Sequence, residues 1–318
     1  MTDIGIRSIG IGVPEKILTN RDLEQMVDTT EEWIFSRTGI KERHILGPGE
    51  TLRPLVSGAA RTALARGGLS PDQVDFIISS TVMPDRFCPA QSYEIARDLG
   101  VDRALAFDLN AACSGFVYGL AIAESFLRTR DVTSGLVTAA EQMSTATDYT
   151  DRNACVLFGD AAAAVVVTKD RPEHRILITE LGSTPALCEE VQIGGIKSVL
   201  AGGIPDFWFR QNGKIVLKFA VRTIQDLFDR VPRKVGLDPK DIRYVIPHQA
   251  NARIIDAAAK SIGGTAEFIS VVEKYGNTSS ASVGLALHDS WDRFEKGDLI
   301  LLVAFGGGLS WAAALLEW

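Results

Sequence analysis

An α/β fold assembled from two copies of one unit is what this 318-residue sequence predicts, and three observations carry the reading. The windows "GLSPDQVDFII" (68–78) and "GLDPKDIRYVI" (236–246) share a Gly-Leu, a proline and an alternating apolar run. Strand-like and helix-like stretches alternate through both halves. Later windows then match in the same order: "DVTSGLVTAA" (131–140) with "KGDLILLVAFGGG" (296–308), and "GDAAAAVVV" (159–167) with "GLSWAAALLEW" (308–318).

Each of the first pair reads as a helix end, a turn and a buried strand, because Gly closes helices, Pro follows them and β-prone residues come next. A helix ending "IARDLG" follows the first strand and one ending "AAAKSIGG" follows the second. The copies meet around residue 170, giving halves 1–170 and 171–318. Strands separated by helices predict mostly parallel sheets covered by helices. The segment "LNAACSGFVYGLAIAESFLRT" is apolar on nearly every side, so its helix belongs in the middle, between the sheets.

Composition narrows the function. With 46% hydrophobic and 23% charged residues the chain reads as globular. No apolar run is long enough to span a membrane, and "MTDIGIRSIGIGVPEK" lacks a secretory pattern, so a cytoplasmic location is expected. A net charge of -7 argues against a nucleic-acid partner, whose phosphates call for a basic surface. The four cysteines, Cys88, Cys113, Cys155 and Cys188, show no C-x-x-C pairing and no histidine at ligand spacing, so neither a metal site nor a disulfide framework is expected.

Cys113 stands at the mouth of the central helix among Ala111, Ala112, Ser114 and Gly115. The positive pole of a helix and its unpaired N–H groups favour a thiolate, the form that acts as nucleophile. A cysteine filling a core gap is the alternative. Of the four histidines, His44 and His174 lie in charged runs that read as solvated, and His288 falls in a helical pattern. His248, in "YVIPHQANARI", follows a buried strand directly, where open α/β sheets place ligands. Asn277, in "KYGNTSSASVGLAL", sits in a Gly-Asn turn before another helix of small residues, at a place roughly equivalent to Cys113 across a pseudo-dyad. The run Gly306, Gly307 and Gly308 allows main-chain N–H groups to face a ligand, and with the Cys113 N–H it would form an oxyanion hole. Cys, His and Asn also make the papain-type hydrolase set, but the signature around that family's cysteine is absent.

In this order the stretches "NRDLEQMVDTTEEWIFSRTGIKERHI", "ACSGFVYGL", "DRNACVLFGDAAAA", "IPHQANARII", "YGNTSSASV" and "AFGGGLSW" make the chain resemble the beta-ketoacyl-[acyl-carrier-protein] synthase III group of the thiolase superfamily, almost end to end. The resemblance implies a thiolase-like five-layered αβαβα fold and a homodimer. It also implies a triad of Cys113, His248 and Asn277, with the N–H groups of Cys113 and Gly307 as the oxyanion hole. The implied reaction is decarboxylating condensation of an acyl-CoA with malonyl-[acyl-carrier protein]. Acyl-CoA is then a substrate and the carrier protein a partner, with no metal, flavin or nicotinamide required.

By the same resemblance, Trp33 and Arg152 hold the CoA adenine, Arg37 and Arg253 line the channel, and Asn251 contacts pantetheine. Thr29 and Glu32 have capping-box spacing around Trp33. Cys88, in "PDRFCPAQ", stands where many relatives carry a phenylalanine that reaches across the dimer to cap the acyl pocket, which implies room for starters longer than acetyl. Region 187–213 matches the family poorly and is expected beside the acyl tunnel. Two other readings stay open: an acyltransferase or specialised-metabolite synthase of the same fold, and a non-catalytic partner subunit.

Overall fold

The computed structural model describes residues 3–195, 200 and 207–318. Ten strands join in one sheet: β1 (Gly5–Gly12), β2 (Phe76–Ser80), β3 (Leu105–Leu109), β4 (Ser134–Gln142), β5 (Asp160–Thr168), β6 (His174–Ser183), β7 (Ile242–Pro247), β8 (Glu267–Phe268), β9 (Leu299–Gly306) and β10 (Ser310–Glu317). Their spatial order is β8-β7-β9-β10-β6-β1-β5-β4-β2-β3. Read outward from the β6/β1 seam, one side runs β1, β5, β4, β2, β3 and the other β6, β10, β9, β7, β8. The matched windows therefore occupy equivalent strands. Two short antiparallel strand pairs, Ile17–Thr19 with Glu42–His44 and Val191–Gln192 with Arg210–Gln211, lie apart from the sheet.

The sheet is mixed rather than mostly parallel. β2 runs parallel to β3 and β4, and β7 runs parallel to β8 and β9. The ladders from β4 and β9 inward to the seam are antiparallel. The β9–β10 link is a three-residue turn, Gly307–Leu309, and a connection that short can only join antiparallel strands.

Among the described residues the α-helices are α1 (Asn20–Glu24), α2 (Glu31–Thr38), α3 (Leu52–Gly67), α4 (Gln91–Leu99), α5 (Gly115–Thr129), α6 (Gly213–Arg230), α7 (Ala252–Ile262), α8 (Val272–Tyr275) and α9 (Ser282–Asp289). Strand alternation assigns their layers. On β5, Ala161, Val165 and Val167 pack with Phe116 and Leu120 of α5 and Val283 and Leu287 of α9, while Ala162, Ala164 and Val166 pack with Val56, Ala59 and Ala63 of α3. On β10, Ala312, Ala314 and Leu316 join that same central cluster, whereas Ala313 and Leu315 meet Ile224 and Leu227 of α6 and Ala258 of α7. Helix, sheet, helix, sheet, helix is the result. Strands buried on both faces read as continuous apolar runs, which is why "AAAAVVV" and "LILLVAF" stand out in the sequence.

α5 lies close against the sheet because Gly119 carries no side chain; a Cβ there would come within 2.6 Å of Val137. Burial on this scale is worth about 2–5 kcal/mol for each large side chain truncated to alanine. His174, expected to be solvated, is instead buried at the seam, opposite Ile6 of β1 and stacked on Trp318 with ring centroids 3.4 Å apart.

Candidate active site

The chain leaves β3 and makes a tight turn at Asn110, whose Oδ1 accepts the Ala112 N–H at 3.2 Å. Ala112 sits at φ 49°, in the left-handed region that strains a non-glycine residue. A single 3-10 turn, Ala112–Ser114, then carries Cys113 to the start of α5. The end of β9 lies directly against it: a Cβ on Gly306 would fall 2.6 Å from the Cys113 nitrogen, so only glycine fits. Burial acts most strongly on the half-buried sulfur, against the Ser279 hydroxyl and the N–H groups of Cys113 and Gly307, which favour the thiolate. Burial outweighs them and pushes the thiol up to about 11. The helix pole is where it was expected, but desolvation wins, and the resting group is a thiol rather than a thiolate.

A second turn approaches from the other half. Asn277 is clamped by its backbone, its N–H donating to Leu157 O at 2.8 Å and its carbonyl accepting from Gly159 N at 3.1 Å. Its Oδ1 accepts the Ser279 N–H at 2.9 Å. Ser279, like Ala112, has φ 49°, and its hydroxyl lies 3.4 Å from the Cys113 sulfur. Ser282 Oγ lies 2.7 Å from His248 Nδ1. The stretch 277–282 thereby holds Asn277 and contacts both Cys113 and His248, through Ser279 and Ser282, while Cys113 and Asn277 border different cavities.

His248 follows β7, and its N–H donates to Val303 O at 2.7 Å. The ring is 2% exposed, with its centroid 5.1 Å from that of Phe305. Burial pushes its pKa down to about 3, so the imidazole is neutral at physiological pH. The Gln249 N–H occupies one lone pair of Ser282 Oγ at 3.3 Å. A Ser282 hydroxyl that donates to Nδ1 places the ring proton on Nε2, where it can face a ligand.

The two turns are structural counterparts. Asn110 corresponds to Asn277, Ala112 to Ser279, Cys113 to Ser280 and Gly115 to Ser282, with the same Asn-to-backbone bond, the same left-handed residue and the same 3-10 entry into a central helix. The expectation that Cys113 and Asn277 are equivalent is therefore off by three residues. The true partner of the thiol is a hydroxyl.

Cys113 lines a cavity of about 450 Å³ with Tyr118, Met143, Ile193, Phe209 and Gly307. Phe209 also borders a space of about 710 Å³ that holds Trp33, Arg37, Asn153 and Leu157. Arg37 and Leu157 in turn border one of about 840 Å³ lined by Asn251, Arg253 and Asn277. These adjoining spaces, taken together as a trench, extend from Trp33 toward Cys113, with Phe209 as the wall between the Cys113 cavity and the rest.

Arg152 stacks over the Trp33 ring at 5.0 Å and donates to Asp28 O at 3.0 Å. The cap of α2 is Thr30, whose Oγ1 accepts the Trp33 N–H at 3.1 Å, rather than the expected Thr29. Asn251 caps α7 through Oδ1, accepting from Ile254 N at 3.1 Å. Cys88 lies on the exposed loop between β2 and α4 and does not line the Cys113 cavity of its own chain. Cys155 is buried and Cys188 exposed.

Of the stretch 187–213, Val191, Gln192, Ile193 and Phe209 border the Cys113 cavity, while residues 196–199 and 201–206 lie outside the described residues. Sequence reasoning passed over Ser279, Ser282 and Glu141. Glu141 had a signal available, since it is a carboxylate within the apolar run "SGLVTAAEQ" of a buried strand.

Mirrored α/β halves in five layers, with a cysteine at the foot of a central helix, are the thiolase architecture, shared with the structures of the enzymes that follow. Residues 107–185 match the family 3-Oxoacyl-[acyl-carrier-protein (ACP)] synthase III, and residues 233–318 match its C-terminal part. The beta-ketoacyl-[acyl-carrier-protein] synthase III of Aquifex aeolicus is 41% identical over 320 residues, covering 99% of this chain and 100% of that protein. The crystal structure of the 3-oxoacyl-[acyl-carrier-protein] synthase III from Aquifex aeolicus superposes with a TM-score of 0.92 at 40% identity, covering 99% and 100% of the two chains. The priming beta-ketosynthase of the R1128 polyketide pathway superposes equally well, at 0.92, with 33% identity and 99% and 96% coverage. This chain belongs to the 3-oxoacyl-[acyl-carrier-protein] synthase III family.

Proposed function

We propose that this enzyme starts a fatty-acid or related chain by condensing an acyl-CoA with malonyl-[acyl-carrier protein] through an acyl-Cys113 intermediate. The observation that carries this reading is the Cys113 sulfur 3.4 Å from the Ser279 hydroxyl, in a stretch that holds Asn277 and contacts His248 through Ser282. Cys113 attacks the thioester carbonyl, whose oxygen is received by the N–H groups of Cys113 and Gly307. Each such donor is worth about 3–4 kcal/mol to a tetrahedral intermediate. CoA leaves and the malonyl carrier enters. His248, neutral with Nε2–H, and the Asn277 amide then donate to the malonyl thioester oxygen. Carbon dioxide departs, and the enolate carbon attacks the acyl-Cys carbonyl. Two neutral donors suit an enolate because neither surrenders a proton that would quench it.

The trench supports the CoA reading: Trp33 and Arg152 form its flat outer end, Arg37 and Arg253 supply cations for phosphates, and Asn251 borders its inner part. On this reading the N-terminal half, to residue 170, contributes the nucleophile and the C-terminal half contributes the enolate donors. We place the enzyme in the cytoplasm as a homodimer. Support for pairing comes from the open edge of β3 and from exposed Phe87 and Tyr93 nearby, 77% and 55% accessible. Cys88 of one chain then faces its partner's acyl pocket, leaving volume for starters longer than acetyl.

Polyketide priming is a second reading, favoured by the likeness to the R1128 enzyme. It shares the chemistry and changes the carrier. The test is carbon dioxide release and 3-ketoacyl product from malonyl-carrier with a panel of acyl-CoAs. Release that depends on both substrates supports condensation. Acyl transfer without release makes the protein a simple acyltransferase.

A further inference from the structure

The buried carboxylate of Glu141 has no place in the mechanism above, yet it lies one hydroxyl away from the nucleophile. It sits on β4, fully buried. Its Oε2 accepts the N–H groups of Val82 at 2.9 Å and Met83 at 3.2 Å. Its Oε1 accepts the Ser280 hydroxyl at 2.6 Å and lies 3.3 Å from the Ser279 hydroxyl. Ser279 is the residue held at φ 49°, and its other neighbour is the Cys113 sulfur at 3.4 Å. Strained non-glycine residues persist where the surroundings hold them, and here the strain aims a hydroxyl between a thiol and a carboxylate. An ionised carboxylate is acceptor-only, so Ser279 donates toward Glu141 and turns a lone pair to the thiol.

We propose that Glu141 receives the Cys113 proton through the Ser279 hydroxyl, making it a positioning and proton-holding residue for formation of the thiolate. The role in acyl transfer rests on the condensation reading above. The proton passes from Sγ to Ser279 Oγ as the Ser279 proton passes to Glu141 Oε1. The thiolate forms the bond to the acyl carbon, the carbon–sulfur bond to CoA breaks, and the departing CoA thiolate is protonated by solvent in the trench. When the enolate displaces Cys113 from its acyl group, the stored proton returns from Glu141 through Ser279. The site then resets to a neutral thiol and an ionised Glu141; the buried cluster is uncharged only while Cys113 carries the acyl group.

Burial pushes the Glu141 carboxyl up to about 7, against the pull of its four hydrogen bonds, so it exchanges a proton in the working range. The charged and titratable groups on the surrounding elements are otherwise engaged. Asp160 on β5 is bound by Leu46 N and Ser144. Asp108 on β3 is bound by Gln91 N and Ser92 N, and His248 is bound to Ser282. Cys113 is the titratable group that faces Glu141 through Ser279.

The test is the pH dependence of Cys113 alkylation by iodoacetamide, followed by peptide mass spectrometry so that exposed Cys88 and Cys188 do not interfere, in the full-length protein. The wild type shows a rising limb near pH 7. Glu141→Gln and Ser279→Ala lose that limb, with the rate at pH 7.5 reduced roughly 100-fold and rising only toward the thiol's own pKa. Ser280→Ala removes a bond that favours the anion, so the limb moves to higher pH. A purely structural Glu141 lowers the rate uniformly and leaves the limb in place; that result overturns the proposal. Should Glu141→Gln fail to fold, Ser279→Ala decides alone, since it leaves the bonds of Glu141 to Ser280, Val82 and Met83. Alkylation needs no acyl-CoA, so a limb without any acyl adduct defeats the condensation reading and leaves the relay standing. An adduct whose pH profile is unchanged in both variants does the reverse.

Discussion

The turns at 110–115 and 277–282 share one backbone and divide one chemistry. Both begin with an asparagine that accepts the N–H two residues on, pass through a residue at φ 49° and enter a central helix by a 3-10 turn. Asn110 is exposed and borders the Cys113 cavity, whereas Asn277 is 6% exposed and borders the space lined by Asn251 and Arg253. At the next shared position the first turn has a thiol and the second a hydroxyl. Each turn also abuts the other half's strand: β9 brings Gly306 to Cys113, and β4 brings Glu141 to Ser280. One scaffold occurs twice, and on the proposed function a few side chains make one turn the nucleophile's and the other its helpers'.

Asparagine gives the largest contrast. Asn277→Ala removes an enolate donor and the tie to Ser279, so malonyl decarboxylation falls on the order of 100- to 1,000-fold. Asn110→Ala loses the same turn bond in water and costs at most about 1 kcal/mol, leaving decarboxylation intact. Equal losses in the two variants would erase the distinction. Next is Gly306→Ala, whose methyl would overlap the Cys113 nitrogen. Overpacking of this kind costs about 1–3 kcal/mol, read as a lowered urea midpoint together with slowed acylation.

The seam between the halves supplies a pH test. Burial pushes His174 down to about 4, and neither of its ring nitrogens has a hydrogen-bond partner. The unfolded imidazole binds a proton near 6.5 and the folded one near 4, so the unfolded state takes up protons first and stability falls as pH drops through that window. Unfolding at pH 7 and pH 5 measures it: His174→Phe flattens the fall by up to about 1.4 kcal/mol per pH unit, while His248, at about 3, adds with the same sign and Glu141, raised to about 7, opposes both. The smallest effect is at the outer end of the trench. Arg152→Ala removes the cation over Trp33 and raises KM for acyl-CoA roughly two- to five-fold, with kcat unchanged.

The duplication was legible because buried strands carry their own signal. Two-faced burial leaves apolar runs in "AAAAVVV" and "LILLVAF", and the Gly-Leu-x-Pro turns before β2 and β7 are short-range chemistry. Cys113, His248 and Asn277 were legible because each stands at the end of a strand or the start of a helix. Properties set by long-range packing were not. Strand direction depends on the links inward from β4 and β9, and the burial of His174 depends on Trp291 and Trp318 arriving from the far end of the chain. The ionisation of Cys113 was misjudged for the same reason. A helix pole is local, but desolvation is the sum of everything folded around the sulfur. Ser279 and Glu141 are 138 residues apart in sequence and meet only in the folded protein.

Intact-mass spectrometry after brief incubation with acyl-CoAs of increasing chain length tests the central claim most directly. Wild-type protein gains the mass of one acyl group per chain, the gain maps to Cys113 and is discharged by malonyl-carrier, and Cys113→Ala gains nothing. An unchanged wild-type mass with every donor, or an equal gain in the alanine variant, contradicts the account.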